Sequence, residues 1–268
     1  MLRSVFGFAI WARRKAMAWW GASSFAYMLM YGSVYPTVRE NAADFDELLQ
    51  GYPEALKKMF GVTDDFSYAS GDGFMQVQLF SLVVPLVFLI FAIGIGSRII
   101  AGEEEDGVLD LLLSGPITRR SVLLQKFGAM ALLTTGLGMV VLAALLATNE
   151  IAGIGVSIMR LAEGILGSLL LSLVFGAAAL AVGAVTGRRG LAIGAASGFV
   201  AASYLMYTLA GLADSLGTVQ RAFPWYYYAA AQPLRNGLNW VHTGVLVAIV
   251  LVLVLAALAV FERRDIAV

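Results

Sequence analysis

Residues 79–127 read LFSLVVPLVFLIFAIGIGSRIIAGEEEDGVLDLLLSGPITRRSVLLQKF. From Leu79 to Ser97 there is no charged residue, and the apolar character persists to Ile100. A helix that crosses the hydrocarbon core of a bilayer needs about 20 mostly apolar residues, and this run supplies them. The charges then come in a block: Arg98, Glu103, Glu104, Glu105, Asp106 and Asp110, followed by Arg119, Arg120 and Lys126. At Phe127 the apolar pattern resumes. Two membrane helices joined by a short charged turn is the reading that organises the rest of the chain.

Working outward, the composition agrees. Of 268 residues, 60% are hydrophobic and only 13% charged, with a mean hydropathy of +0.82. A soluble domain carries roughly a quarter charged residues, and a chain of this size cannot hide so much apolar surface in its own core. A soluble enzyme, a nucleic-acid binder and a disordered tail are thereby excluded. Six stretches are long and apolar enough to span: Ala16–Tyr35, Leu79–Ile100, Phe127–Ala147, Gly164–Val185, Leu191–Leu212 and Thr243–Phe261. The runs are continuous rather than alternating, and a helix satisfies its own backbone hydrogen bonds where lipid cannot. The expectation is an all-α membrane protein of six spans, residues 1–268 forming one transmembrane domain.

Lys and Arg in the flanks set orientation. Arg3, Arg13, Arg14, Lys15, Arg98, Arg119, Arg120, Lys126, Arg188, Arg189, Arg263 and Arg264 fall on one side, twelve in all, against six on the other (Arg39, Lys57, Lys58, Arg160, Arg221, Arg235). Both termini are therefore expected in the cytoplasm. No small-x-small pattern follows the first run, so it is expected to stay as an anchor rather than be cleaved. Residues 1–15 read as an amphipathic helix on the inner leaflet, with Phe6, Ile10 and Trp11 towards lipid; a simple basic anchor is the alternative. The loop 36–78 is acid-rich, and its FDELLQGYPEALKKMFGV, with Pro53 at a helix start, predicts a small helical hairpin outside the membrane. Residues 213–242 hold Pro224, Trp225, Tyr226, Tyr227, Tyr228, Pro233 and Trp240, which suits an interfacial aromatic belt or a gate lined by the same rings.

Chemistry is sparse. With no cysteine and a single histidine, His242, thiolate and multi-histidine metal sites are excluded, and no metal site is expected. The span centres carry no charge. Ser197, in Ala-Ala-Ser-Gly, departs from the Gly-x-Ser-Gly of rhomboid-type proteases and reads as a packing serine. Paired glutamates occur in membrane prenyl-protein proteases, but the arginine and later histidines those enzymes need are missing here. No phosphate-binding Gly-x-x-x-x-Gly-Lys-Ser/Thr loop is present. The chain is expected not to be an enzyme.

The turn 101–126 carries the most information. Acids crowd its start, where a helix N-terminus favours negative charge. Asp106, Asp110 and Ser114 fall four apart, opposite an apolar stripe of Val108, Leu111 and Leu112 flanked by Leu109 and Leu113. Ser114-Gly115-Pro116 ends that helix, and Thr118 can cap the next. Such a helix either floats on lipid or plugs into a partner's groove.

Glu103 to Glu105, then Gly107-Val108-Leu109-Asp110-Leu111-Leu112-Leu113, Ser114-Gly115-Pro116, Arg119 and Lys126 resemble the signature loop of ABC-2 type permeases, the six-span partners of ATP-binding-cassette ATPases. The resemblance extends to the N-terminal helix, the long first outer loop, the aromatic outer segment and the tail Phe261–Asp265. It implies a transport subunit of the prokaryotic cytoplasmic membrane. ATP and Mg would be held by a separate ATPase, this chain itself binding no cofactor. A second permease, copy or paralogue, would pair with it. In this picture the loop is a cytoplasmic coupling helix between spans two and three. Glu103, Glu104 and Glu105 would meet the ATPase, Leu109, Leu111 and Leu112 would anchor the helix, and Gly107 and Pro116 would shape its ends. In relatives spans two and five face the path between permeases, which points to Phe88, Phe91, Ser203, Tyr204, Tyr207 and Thr208. A path without central charge favours export of an amphipathic or hydrophobic molecule such as a drug, antibiotic or lipid. A scaffold that holds a partner through the same loop without moving cargo is the competing reading.

Overall fold

The computed structural model describes residues 5–41, 44, 47, 51–53, 70–210 and 216–264, and every regular element among them is helical. In chain order these are α1 Val5–Ala12, α2 Arg14–Gly32 and α3 Tyr35–Glu40, then α4 Gly71–Glu105 and α5 Val108–Leu113. They continue with α6 Arg119–Ile151, α7 Ile158–Thr186, α8 Arg189–Leu209, α9 Pro224–Ala229, α10 Pro233–Asn236 and α11 Trp240–Arg263. Apart from residues 47 and 51–53, the hairpin expected around Pro53 lies outside the described residues.

Five of these helices, α4, α6, α7, α8 and α11, are long and apolar enough to cross a membrane. α4, α6, α7 and α11 each cover one of the predicted stretches and run past its ends where polar residues continue the helix, while α8 starts two residues before its stretch, Leu191–Leu212, and stops at Leu209. α6, with 33 residues, is about 50 Å long, well beyond the ~30 Å hydrocarbon core. α2 has 19 residues but is not among the five, because Trp19, Trp20, Ser23, Ser24, Tyr27 and Tyr31 dilute its apolar character. The predicted first span, Ala16–Tyr35, is also shortened: α2 stops at Gly32, and Tyr35 opens α3.

α7 is the axis of the bundle. It packs against α4, α6, α8 and α11, and its small residues explain how. A Cβ built on Gly96 of α4 would sit 2.3 Å from the Gly176 carbonyl oxygen of α7, and one on Gly176 would sit 3.1 Å from the Ala92 Cβ. Further along, Gly164 takes the Phe80 ring and Gly183 meets Ala101, so the two helices run parallel with backbones in close approach. Gly96→Ala is expected to cost about 1–3 kcal/mol, since the added methyl has no room. Gly94→Ala, with nothing within 4 Å of the new Cβ, should stay within about 0.5 kcal/mol. Unfolding midpoints in detergent separate the two.

The α1–α2 pair runs parallel to α6. Phe6 faces Gly128, Met17 faces Gly136, Gly21 faces Val140 and Gly32 faces Thr148, and the Phe6 amide donates to Gln125 Oε1 at 3.1 Å. Val5 and Ala9 are the buried face of α1, while Trp11 is exposed. α1 thus docks on the base of α6, and Phe6, read above as facing lipid, is turned towards that helix.

α4 is broken near its start. Its turn Gln76–Phe80 is a wide π-turn, Leu82 leaves helical geometry (φ −144°), and Pro85 cannot supply the amide that would reach the Ser81 carbonyl. The Phe80 carbonyl, freed by this break, accepts a hydrogen bond from the Tyr228 hydroxyl of α9. Burial pushes the Tyr228 phenol up from its ordinary value, opposed by its bond with Ser168, so the group keeps its proton and donates. Trp225 and Tyr228 are both buried. The aromatic segment is therefore folded back into the bundle at these two positions, instead of serving wholly as a belt facing lipid.

Candidate functional site

The charged residues gather at one end. Lys126, on the first turns of α6, has a side chain only 1% exposed. Its ammonium pairs with Glu103 and donates to the Ile99 carbonyl at 2.6 Å, inside a second π-turn of α4, Arg98–Gly102. Arg13, between α1 and α2, stands 4.0 Å from the same Glu103. Burial lowers the Arg13 guanidinium from its ordinary value, with Glu103 opposing and Arg98 adding to the fall. Glu104 is gripped by Arg264 just past α11, one contact being 3.0 Å, and Arg264 also donates to the Ala184 carbonyl of α7 at 3.2 Å. Glu105 accepts from the first amide of α8, Arg189 N, at 2.8 Å. Arg119 donates to the Phe261 carbonyl at 3.2 Å and to that of Arg264, and Arg120 pairs with Glu262. Three consecutive acids thus bind the ends of α4, α6, α7, α8 and α11 and the α1–α2 joint into one knot.

Glu103 and Glu104, expected at a partner's surface, therefore face their own chain. The short helix beyond them is divided. Gly107 takes a left-handed conformation, φ +68°, which glycine adopts at little cost, and turns the chain from α4 into α5. Leu109 is fully buried in the common core and Leu112 is half-buried against it. Leu111 is 78% exposed, in company with exposed Asp106, Asp110 and Pro116. Of the three leucines expected to anchor α5 to a partner, one points outward, one is half-buried and one is a core residue. Thr118 caps α6 by accepting from the Ser121 amide at 3.3 Å.

Between α4 and α8 lies an apolar groove of about 470 Å³. Its α4 wall is Leu82, Leu86, Leu89, Ile90, Ile93 and Gly94, and its α8 wall runs from Ile193 through Ser197 and Ala201 to Tyr204. Phe88 and Phe91, expected on the path, are buried in the core on the opposite side of α4. Of the α8 residues expected there, Tyr204 lines the groove. Ser203 is buried and accepts from the Trp225 amide at 3.0 Å, and Thr208 donates to the Tyr204 carbonyl at 3.1 Å. Tyr204 and Tyr207 also line a small polar chamber of about 20 Å³ beneath α9 and α10. Of the residues expected on the path along α4 and α8, Tyr204 alone lines this groove; its α4 wall is the Leu82–Gly94 face, which the sequence reading did not name.

His242, the residue weighed for a serine–histidine pair, is packed among Tyr226 and Tyr227, with Nδ1 3.2 Å from the Tyr227 carbonyl, while Ser197 lines the groove.

A comparison with curated proteins returns no match. The profile of the family described as ABC-2 family transporter protein matches residues 8–266, from within α1 to beyond α11. A match over nearly the whole length, on an all-helical bundle with several membrane-length helices, makes this chain a member of the ABC-2 transporter family, whose permeases are multi-pass membrane subunits that work with ABC ATPases.

Proposed function

We propose that the chain is the permease subunit of an ATP-driven exporter in a prokaryotic cytoplasmic membrane, moving an amphipathic or hydrophobic molecule. In this reading α2 is a sixth span, α1 lies at the inner leaflet, both termini are cytoplasmic and the ion-pair knot marks the cytoplasmic end. A separate ATPase holds ATP and Mg, and a second permease, copy or paralogue, faces the groove between α4 and α8. α5 is the coupling helix.

The observation that carries the proposal is the division of α5. A helix floating on lipid or closing its own core would hide its largest apolar groups together. Here Leu109 roots the helix in the bundle while Leu111 stands out at 78% exposure beside two acids, on the element next to the knot. Force applied to Leu111 passes through Leu109 and Gly107 to the end of α4, and from there through Glu103–Glu105 to the other helices. Such a lever does work only if its contacts differ between states, which is what opening and closing of an ATPase dimer would supply. The acids belong to the lever's mounting, and Asp106, Asp110, Leu111 and Pro116 to its contact face.

The test is gentle-detergent purification of the tagged chain from its native membrane, with mass spectrometry of what stays bound. A near-stoichiometric phosphate-loop ATPase is expected, and a second permease in the same preparation would fix hetero-pairing. Recovery without an ATPase, under conditions that preserve other membrane complexes, would overturn the reading in favour of the scaffold.

A further inference from the structure

We propose that Lys126 is a positioning residue that sets the register in which α4 joins α5, and that this joint has two registers one residue apart. The proposal rests on reading α5 as the coupling helix and names how its movement would reach α4. In an α-helix the Glu103 amide would donate to the Ile99 carbonyl, four residues back. Here it reaches one residue further, to the Arg98 carbonyl, in the π-turn Arg98–Gly102. The Ile99 carbonyl is passed over, and Lys126 Nζ donates to it at 2.6 Å while pairing with Glu103. One ammonium thus holds both the carbonyl that the wide turn skips and the carboxylate that follows it. Single π-turns inside α-helices are frequent at functional sites.

Such a turn holds one residue more than the helix it interrupts. Closing it would return the Glu103 amide to Ile99 and carry residues 103–106 and the start of α5 forward by one residue, about 100° and 1.5 Å. The order of side chains favours that step. With α4 fixed, Glu103 would arrive where Glu104 stands, and Glu104 where Glu105 stands. Arg264, which now grips Glu104, would keep a carboxylate, and so would the first amide of α8, which Glu105 now caps. Gly102 would take the place of Glu103, and Lys126 would lose its carboxylate and its carbonyl together. The run of three acids refills two of the three contacts, and Lys126 alone tells the registers apart.

The surroundings leave room for the step. Ala101 and Gly102 add little bulk at the turn, and the residue of α7 opposite Ala101 is Gly183. Gly107, left-handed and with nothing within 4 Å of its Cβ position, gives α5 a swivel that glycine provides at little cost. The other π-turn of α4, Gln76–Phe80, lies beside a carbonyl held in the same way, that of Phe80 by the Tyr228 hydroxyl. The straight part of α4, Val83–Ser97, is therefore a rod with a side chain of another helix on a free carbonyl at each end. A partner that pulls on α5 shifts the joint only by favouring one register over the other, and release of Lys126 is what that pull must bring about.

The experiment uses the full chain in lipid nanodiscs. The sequence has no cysteine, so Leu111→Cys on α5 and Met139→Cys on α6, both at exposed positions, carry the two nitroxide labels. Double electron–electron resonance is expected to give one main distance in this parent and a second, dominant distance once Lys126→Met is added. Glu103→Gln removes the charge from the same pair but leaves Lys126 on the Ile99 carbonyl, and closure would set an amide against Arg264. It should therefore keep the parent distance. Glu105→Ala deletes a contact that closure would refill with Glu104, and should raise the second distance to about a tenth of the molecules or more. Because Glu105 is exposed, this variant keeps the test valid if the Lys126 variant folds poorly. The parent distance unchanged in Lys126→Met, or in Glu105→Ala where the former does not fold, would overturn the two-register joint. An equal shift in Lys126→Met and Glu103→Gln would overturn the role given to Lys126 and reduce it to one half of an ion-pair strut. None of these readouts involves ATP or a partner, so the joint can fail while the exporter reading stands, and the co-purification can fail while the joint stands.

Discussion

Lys126→Ala should lower the stability of the detergent-solubilised chain by about 3–5 kcal/mol, the usual cost of removing one partner of a buried ion pair. The loss is large because of what remains. Lys126 is 1% exposed and Glu103 12%, so deleting the ammonium leaves a nearly buried carboxylate with only Arg13, 4.0 Å away, to answer it. The Ile99 carbonyl also loses its donor. Glu103→Ala should be damaging for the mirror-image reason, leaving a buried ammonium without its carboxylate. The double variant Glu103→Leu/Lys126→Met removes both charges and their desolvation cost together, and should recover at least half of the loss. Unfolding midpoints for the four proteins form a double-mutant cycle. A Lys126→Ala cost near 1 kcal/mol, in the range of an exposed pair, would mean that water reaches the knot and that it does not fix the helix ends.

This pair also shows where sequence reading stops. The apolar runs that became α4, α6, α7, α8 and α11 were legible because lipid demands unbroken hydrophobic length, a one-dimensional property. The cap at Thr118 was legible for a similar reason, since it is set by neighbours within a few residues, whereas the turn at Gly107 came only with the family resemblance. Lys126 could be counted as a flanking base, but its burial depends on Glu103, 23 positions earlier, and nothing in the spacing reveals that. The spacing of Asp106, Asp110 and Ser114 does mark exposed positions of α5, but Leu111, read as part of the opposite apolar stripe, is exposed with them. The spacing cannot say which leucine the bundle claims, because Leu109 and Leu111 differ by only two positions, and the decision belongs to the packing of α5 on the core. On α4 the same blindness worked in reverse. The family resemblance pointed to span two and so to Phe88 and Phe91, yet large rings are what a core takes first, and the groove is lined instead by Leu86, Ile90 and Gly94.

The division of α5 makes Leu111→Asp the most discriminating substitution in the chain. The side chain is 78% exposed, so the variant should insert and unfold like the parent, within about 0.5 kcal/mol. If an ATPase covers Leu111, the complex loses the burial of a leucine, about 1.5–3 kcal/mol, and must also desolvate a carboxylate. ATPase recovery in pull-down from native membrane should then fall at least tenfold, since about 1.4 kcal/mol is a factor of ten in affinity. Leu109→Asp supplies the contrast, because it buries a charge in the core and should prevent accumulation of folded protein altogether. Reversing the charges of Glu103–Glu105 would be a poor substitute: it breaks the pairs with Lys126 and Arg264, and any loss of ATPase would follow from a loosened bundle. Only a variant that is stable and inserted yet stripped of ATPase isolates the contact, and a Leu111→Asp protein with undiminished ATPase and transport would remove α5 from the coupling path.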